Sequence, residues 1–370
     1  MTSIGLKSAP GVVALVLLAA SAAFSDDVTW PPAFDFEQPQ MLRAWSTQAP
    51  EGQLSITDDP ENVRSGGGAL ELVWTATPGR LAMLSAGPVR LDGRIRSLLF
   101  SVKASEQSPI MYGVRLAGGV DYQGYMYTPG NVWHDLVVDI EELMLSESCV
   151  DQNRVFDAEQ IFGIIVADVS NLSGEAGASL GIKTGVQRLW LDDVQLSDRP
   201  APRRSRDGAN GELIIDDFDG DVVRCLPIGN PLLELVPGPG EDDTSALRVS
   251  YDPQNYRWAG FVAGVGYLDL SERSHVALRV SAEMAVPLTV VLEERDGSKY
   301  QMRQRLDPEK GWHTLRLPFD RFKLDAGSHD ENEQLDLDQL RVIIPVVDTS
   351  RAELGDNARG AWSVSRIWAE

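Results

Sequence analysis

The chain repeats itself. The run Asp121-Tyr122, then Pro129-Gly130-Asn131-Val132-Trp133-His134-Asp135-Leu136, is matched by Gly297-Ser298-Lys299-Tyr300, then Lys310-Gly311-Trp312-His313-Thr314-Leu315. Gly68-Ala69-Leu70-Glu71-Leu72 is matched by Ser245-Ala246-Leu247-Arg248-Val249. Asp157-Ala158-Glu159-Gln160-Ile161 is matched by Leu337-Asp338-Gln339-Leu340. The matches keep their order at a spacing of about 180 residues, too long for a solenoid unit and right for two tandem domains. The full length of 370 residues gives each half enough chain for its own core. A duplicated domain without catalytic-looking chemistry reads more readily as a binding array than as an enzyme.

Residues 1–25 read as a cleaved secretory peptide. Lys7 is a weak positive start, Val12 to Ala23 is an apolar stretch too short to span a bilayer, and Ala23-Phe24-Ser25 offers a cleavage site. An uncleaved membrane anchor is the alternative for the same stretch. The mature chain is therefore expected to be secreted or periplasmic, with no stable membrane insertion after processing. Domain one is expected over 26–198, a Pro- and Arg-rich linker over 199–211, and domain two over 212–370. The formal net charge of −22 argues against nucleic acid and anionic membranes as partners and suits divalent cations. The two cysteines, Cys149 and Cys225, fall one in each half, so no disulfide can form inside a domain. Pairing across the junction stays open.

Local patterning is strand-like. Ile110, Tyr112, Val114 and Leu116 alternate with Met111, Gly113 and Arg115, and Leu288, Val290 and Leu292 alternate with Thr289, Val291 and Glu293. Gly118-Gly119, Pro129-Gly130 and Asp296-Gly297 mark turns between such runs. The best helical turns, Ile140-Glu141-Glu142-Leu143 and Phe319-Asp320-Arg321-Phe322, are short and sit at the same point of each repeat. The expected class is all-β: two tandem antiparallel β-sandwiches of jelly-roll type.

Each half opens with an aromatic-acidic pair, Phe36-Glu37 and Phe218-Asp219, continues with the small-Ala-Leu strand and the Gly-Trp region, and the first closes on Leu191-Asp192-Asp193-Val194. This resembles the galactose-binding-like β-sandwich family, as in jelly-roll carbohydrate-binding modules and the domain named after complex I intermediate-associated protein 30. The resemblance covers nearly all of the mature chain. It implies a structural Ca2+ site in domain one. Glu37 and Asp193 would supply carboxylates, and backbone carbonyls around Ser65-Gly66 would complete a shell of hard oxygens. In domain two Arg366 stands where Asp193 lies, so that place is expected to be metal-free, with Arg366 open to pairing with Asp217 or Asp219.

Strand parity nominates a ligand face. If Tyr122 and Met126 point one way, then Asp121, Gln123, Tyr125 and Tyr127 point the other, near Arg115. Rings beside polar groups suit a pyranose, with its apolar C–H faces and hydroxyl rim. Packing of both tyrosines under a loop is the alternative. Tyr251, Tyr256 and Trp258 form a secondary aromatic candidate. Trp133 and Trp312 read as core anchors, with a ligand platform as the alternative, and Asp330-Glu331-Asn332-Glu333 as a solvated acidic loop. No nucleophile elbow, zinc-spaced Cys or His set, or phosphate loop occurs. The expected function is non-catalytic binding of a saccharide, chiefly by domain one. An adaptor that binds other proteins is the alternative, and a divergent polysaccharide-degrading enzyme, needing converging carboxylates, is a third reading.

Overall fold

The structure is a computed structural model that describes residues 33–89, 94–146, 149, 156–172, 183–240, 243–252, 257–266, 268–351 and 359–370. The expected secretory peptide and Tyr256 lie outside the described residues. Among the described residues no helix is long and apolar enough to cross a membrane. The chain is all-β and divides into two compact units. One holds the described residues up to Arg203 together with Asp221–Leu226. The other holds Arg204–Gly220 and Pro227–Glu370. The segment Asp221–Leu226 thus packs with the first unit although it follows the expected start of domain two.

The first unit contains β1 Ala33–Phe34, β2 Trp45–Thr47, β3 Gln53–Thr57, β4 Ala69–Ala76, β5 Ala82–Ala86 and β6 Ser97–Ala104. It continues with β7 Ser108–Leu116, β8 Asp121–Thr128, β9 His134–Asp139, β10 Met144–Leu145, β11 Ile161–Asp168 and β12 Gly185–Ser197. One sheet runs β3-β4-β12-β6-β9, with β1 also on β12, and the other runs β10-β8-β7-β11-β5-β2.

In the second unit come β13 Arg206–Asp207, β14 Leu213–Asp216, β15 Leu226–Ile228, β16 Leu232–Pro237, β17 Ser245–Tyr251, β18 Trp258–Gly264 and β19 His275–Ala282. Then follow β20 Val286–Glu294, β21 Lys299–Leu306, β22 His313–Pro318, β23 Lys323–Leu324, β24 Leu340–Asp348 and β25 Gly360–Ala369. The order β15-β18-β24-β20-β21-β23 repeats that of the first unit's second sheet, and β25 takes the central place of β12 between β17 and β19.

Period-two patterning accounts for the sandwich. On β4, Leu70, Leu72, Trp74 and Ala76 are buried while Thr75 is exposed, and on β8 Tyr122 and Met126 are fully buried. The inward faces of the two sheets meet in each unit. Phe100 of β6 packs on Tyr112 of β7 with ring centroids 5.4 Å apart. Phe261 of β18 stacks on Trp362 of β25 at 5.9 Å. Burial of such rings is the main favourable term in folding a domain of this size. The two short helical turns form as 3-10 turns, Ile140–Glu142 and Phe319–Arg321.

The repeat tryptophans differ from expectation. Trp133 and Trp312 are only half-buried, because each immediately precedes an edge strand, β9 or β22, where one side faces solvent. Trp45, Trp74, Trp190, Trp362 and Trp368 fill the buried positions instead. Cys149 is partly exposed and Cys225 buried, and no disulfide joins them. Three of the four linker arginines are engaged in ion pairs: Arg203 with Asp139 at 2.8 Å, Arg204 with Asp216 at 3.2 Å, and Arg206 with Asp217.

Candidate binding and metal sites

The tyrosine face lies on the hairpin of β7 and β8. Arg115 stands directly opposite Asp121 and grips it as a fork, with Nε and Nη2 donating at 2.7 and 2.8 Å. The carboxylate of Asp121 is almost wholly buried, and that contact raises the affinity of Arg115 for its proton. Two positions along β8, Gln123 donates from Nε2 to the Tyr125 hydroxyl at 2.7 Å. Tyr125 is partly exposed, whereas Tyr127 is 1% exposed. Its burial has a cause: the Tyr127 backbone N–H donates to the Val223 carbonyl at 2.9 Å, which lays Asp221–Leu226 along this end of the strand. The structure therefore places Arg115, Tyr125 and Tyr127 on one face, with Tyr125 presented and Tyr127 covered. Of the secondary aromatic cluster, Tyr251 is buried and Trp258 is partly covered by the Arg257 guanidinium, 5.0 Å from its ring. Burial raises the Tyr251 hydroxyl to about 12.

Glu37, Ser65 and Asp193 converge on one loop. Gly67 N–H donates to Glu37 Oε1 at 2.7 Å, and Ser65 Oγ donates to Asp193 Oδ1 at 2.9 Å. The approach depends on Gly66. It sits at φ +64°, and a Cβ there would lie 1.9 Å from Glu37 Oε1. Phe36 and Asp193, at φ +54° and +50°, also adopt left-handed backbone, which is uncommon outside glycine. Asp192, passed over in the sequence, organises the loop. Its side chain is fully buried and accepts from the backbone N–H of Arg64 and Ser65, each at 3.0 Å. Burial pushes its carboxyl above the usual range. The donor set of two carboxylates and an exposed hydroxyl-bearing loop fits a hard cation such as Ca2+.

Domain two rewires the same place. Asp219 accepts from Thr244 Oγ1 at 2.7 Å, while Asp217 pairs with Arg206. Arg366 does not take either acid. Its Nη2 lies 3.5 Å from Glu212, because the linker already delivers a guanidinium to Asp217.

A second acidic group emerges elsewhere in domain two. Carboxylate oxygens of Glu294, Asp296 and Asp330 lie within 4.8 Å of one another, an arrangement that could hold a metal ion. The loop around Asp330 is thus not simply solvated. Tyr300 donates its hydroxyl to Asp330, and Gln334 N–H donates to the same carboxylate at 3.1 Å. Burial and the neighbouring carboxylates raise Glu294 to about 7. The cluster joins the end of β20 to a loop some way downstream, so only the folded hairpin reveals it.

No known protein-family profile matches the chain, and no curated protein matches it. Among solved structures, a family 11 carbohydrate-binding module from Clostridium thermocellum, in complex with a beta-1,3-1,4-mixed-linked tetrasaccharide, is 18% identical, with 43% of this chain and 94% of that chain covered and a TM-score of 0.32. A tandem of two family 22 modules from Paenibacillus barcinonensis is 12% identical, covers 95% of this chain and 99% of its own, and has a TM-score of 0.28. An exo-beta-agarase is 10% identical over 43% of this chain and 25% of its own, with a TM-score of 0.32. Likeness at this level carries nothing about ligand or chemistry.

Proposed function

We propose that the chain is an exported, non-catalytic carbohydrate-binding protein with domains over 26–198 and 212–370, whose first domain holds a saccharide at the face of Arg115, Tyr125 and Tyr127. One observation carries the reading. On a single sheet face, a partly exposed ring is locked through its hydroxyl by Gln123, which stands between it and a buried Arg115–Asp121 fork in the same row. That is an apolar surface for a sugar's C–H face next to fixed planar hydrogen-bonding groups for its rim. Tyr127 forms the closed end of the row. The carboxylate on this face is committed to Arg115, which suits binding rather than acid–base work. Glu37 and Asp193, with the loop at Ser65, are the proposed Ca2+ ligands of the first domain, holding the end of the sandwich. A glycan array probed with the full chain tests the reading. Binding to at least one neutral polysaccharide or oligosaccharide class is expected. Failure to retain any glycan would overturn it.

A further inference from the structure

At the place where domain one gathers its carboxylates, domain two has a cleft. Its volume is about 270 Å³ and its walls include Pro239, Asp243, Arg279, Thr314, Arg366 and Trp368. The correspondence is set by register. Ser101 pairs with Asp192 across β6 and β12, and in domain two Arg279 pairs with Arg366 across β19 and β25, each beside a break in register on the last strand. Two arginines directly opposite each other repel, so acceptors must lie between or beside them. Asp243 supplies one, with Oδ2 3.0 Å from Arg279 Nε and accepting from Ser365 Oγ at 3.2 Å. Glu212 supplies another, 3.5 Å from Arg366. The charges are therefore close to balanced.

What is left over is directional. Arg366 Nε and Asp243 Oδ1 are buried and have no hydrogen-bond partner, and Arg279 Nε has no aligned one. An Nε–H can only donate and a carboxylate oxygen can only accept. An anion would satisfy the arginines and repel Asp243. A cation would do the reverse. A hydroxyl both donates and accepts, so a neighbouring pair of sugar hydroxyls, admitted by a small shift of the part-exposed Arg279 and Arg366 side chains, satisfies both sides at once. Trp368, with Arg366 5.7 Å from its ring, and Pro239 provide an apolar wall. The volume falls below the roughly 300–1,000 Å³ of clefts for drug-sized ligands, which suits a single ring.

We propose that domain two carries its own pocket for one neutral sugar ring, gripped through adjacent hydroxyls by Asp243, Arg279 and Arg366. The ligand class rests on the carbohydrate-binding reading, but the site is separate from the tyrosine face.

The test is saturation-transfer NMR on the full chain with methyl glycosides of glucose, galactose, mannose and xylose, together with calorimetric titration of inorganic sulfate as an anion probe. At least one glycoside should bind. Arg366→Lys, which keeps the charge and loses the planar fork, and Asp243→Asn should each weaken it by about tenfold or more. The part of the response that Arg366→Lys removes should persist when Tyr125→Ala has removed the first domain's contribution. If Asp243→Asn lowers the melting temperature, Arg366→Lys decides alone. The proposal fails if no glycoside binds, if binding ignores both variants, or if only sulfate responds to Arg366→Lys. Loss of all saccharide binding in Tyr125→Ala with none in Arg366→Lys would overturn this pocket and leave the first-domain reading standing. The converse would do the opposite.

Discussion

Tyr125 and Tyr127 stand two positions apart on one strand face, yet their environments separate them. Tyr127 is buried where the backbone of Val223 pairs with its strand, so Tyr127→Ala should cost about 3–5 kcal/mol of stability, as large-to-small core changes do. Denaturant melts check this, and an unchanged midpoint would mean that the ring packs against nothing. Gly66 makes a second residue-scale case. Gly66→Ala must adopt φ +64° and displace the Glu37 carboxylate, so it should cost at least about 1–2 kcal/mol from the backbone alone. It should also abolish any response of domain one to calcium. Parity on β8 was legible from alternation, because a period of two fixes which side chains share a face. The covering of Tyr127 was not, since it depends on a segment about 100 residues later that carries no hydrophobic period of its own.

Elements explain which parts of the site the sequence disclosed. Alternating runs at Ile110–Leu116 and Leu288–Leu292 became β7 and β20, and the paired short helical turns formed where the repeats placed them. The role of Asp192 stayed hidden. Its partners, the N–H groups of Arg64 and Ser65, lie more than 120 residues away and are brought to it only by the pairing of β4 with β12. The Glu294, Asp296 and Asp330 cluster was hidden for the same reason. The segment Asp221–Leu226 yields a test at this scale. A fragment of residues 26–226 should melt higher than one of 26–203, because only the longer one keeps the Val223 bridge over Tyr127. Equal melting temperatures would show that the segment contributes nothing to the first domain.

At the scale of the whole chain, the same strand order occurs twice with different chemistry at the same place: acids in the first domain, arginines in the second. Calcium is therefore expected to stabilise the full chain through the first domain. A ligand at about 100 times its Kd adds about 2.7 kcal/mol to the state that binds it. Calorimetry with calcium and with a chelator should show an upward shift that Glu37→Gln removes. A shift removed by Glu294→Gln instead would move the metal to the second domain's cluster.

The most direct measurement is calorimetric titration of the full chain with the strongest glycan from the array, for wild type and Tyr125→Ala. Loss of a hot-spot ring costs about 2 kcal/mol or more, roughly thirtyfold in affinity. The expected result is that loss with an unchanged melting temperature. Wild-type affinity in Tyr125→Ala, on a glycan the first domain holds, would contradict the assignment of the binding face.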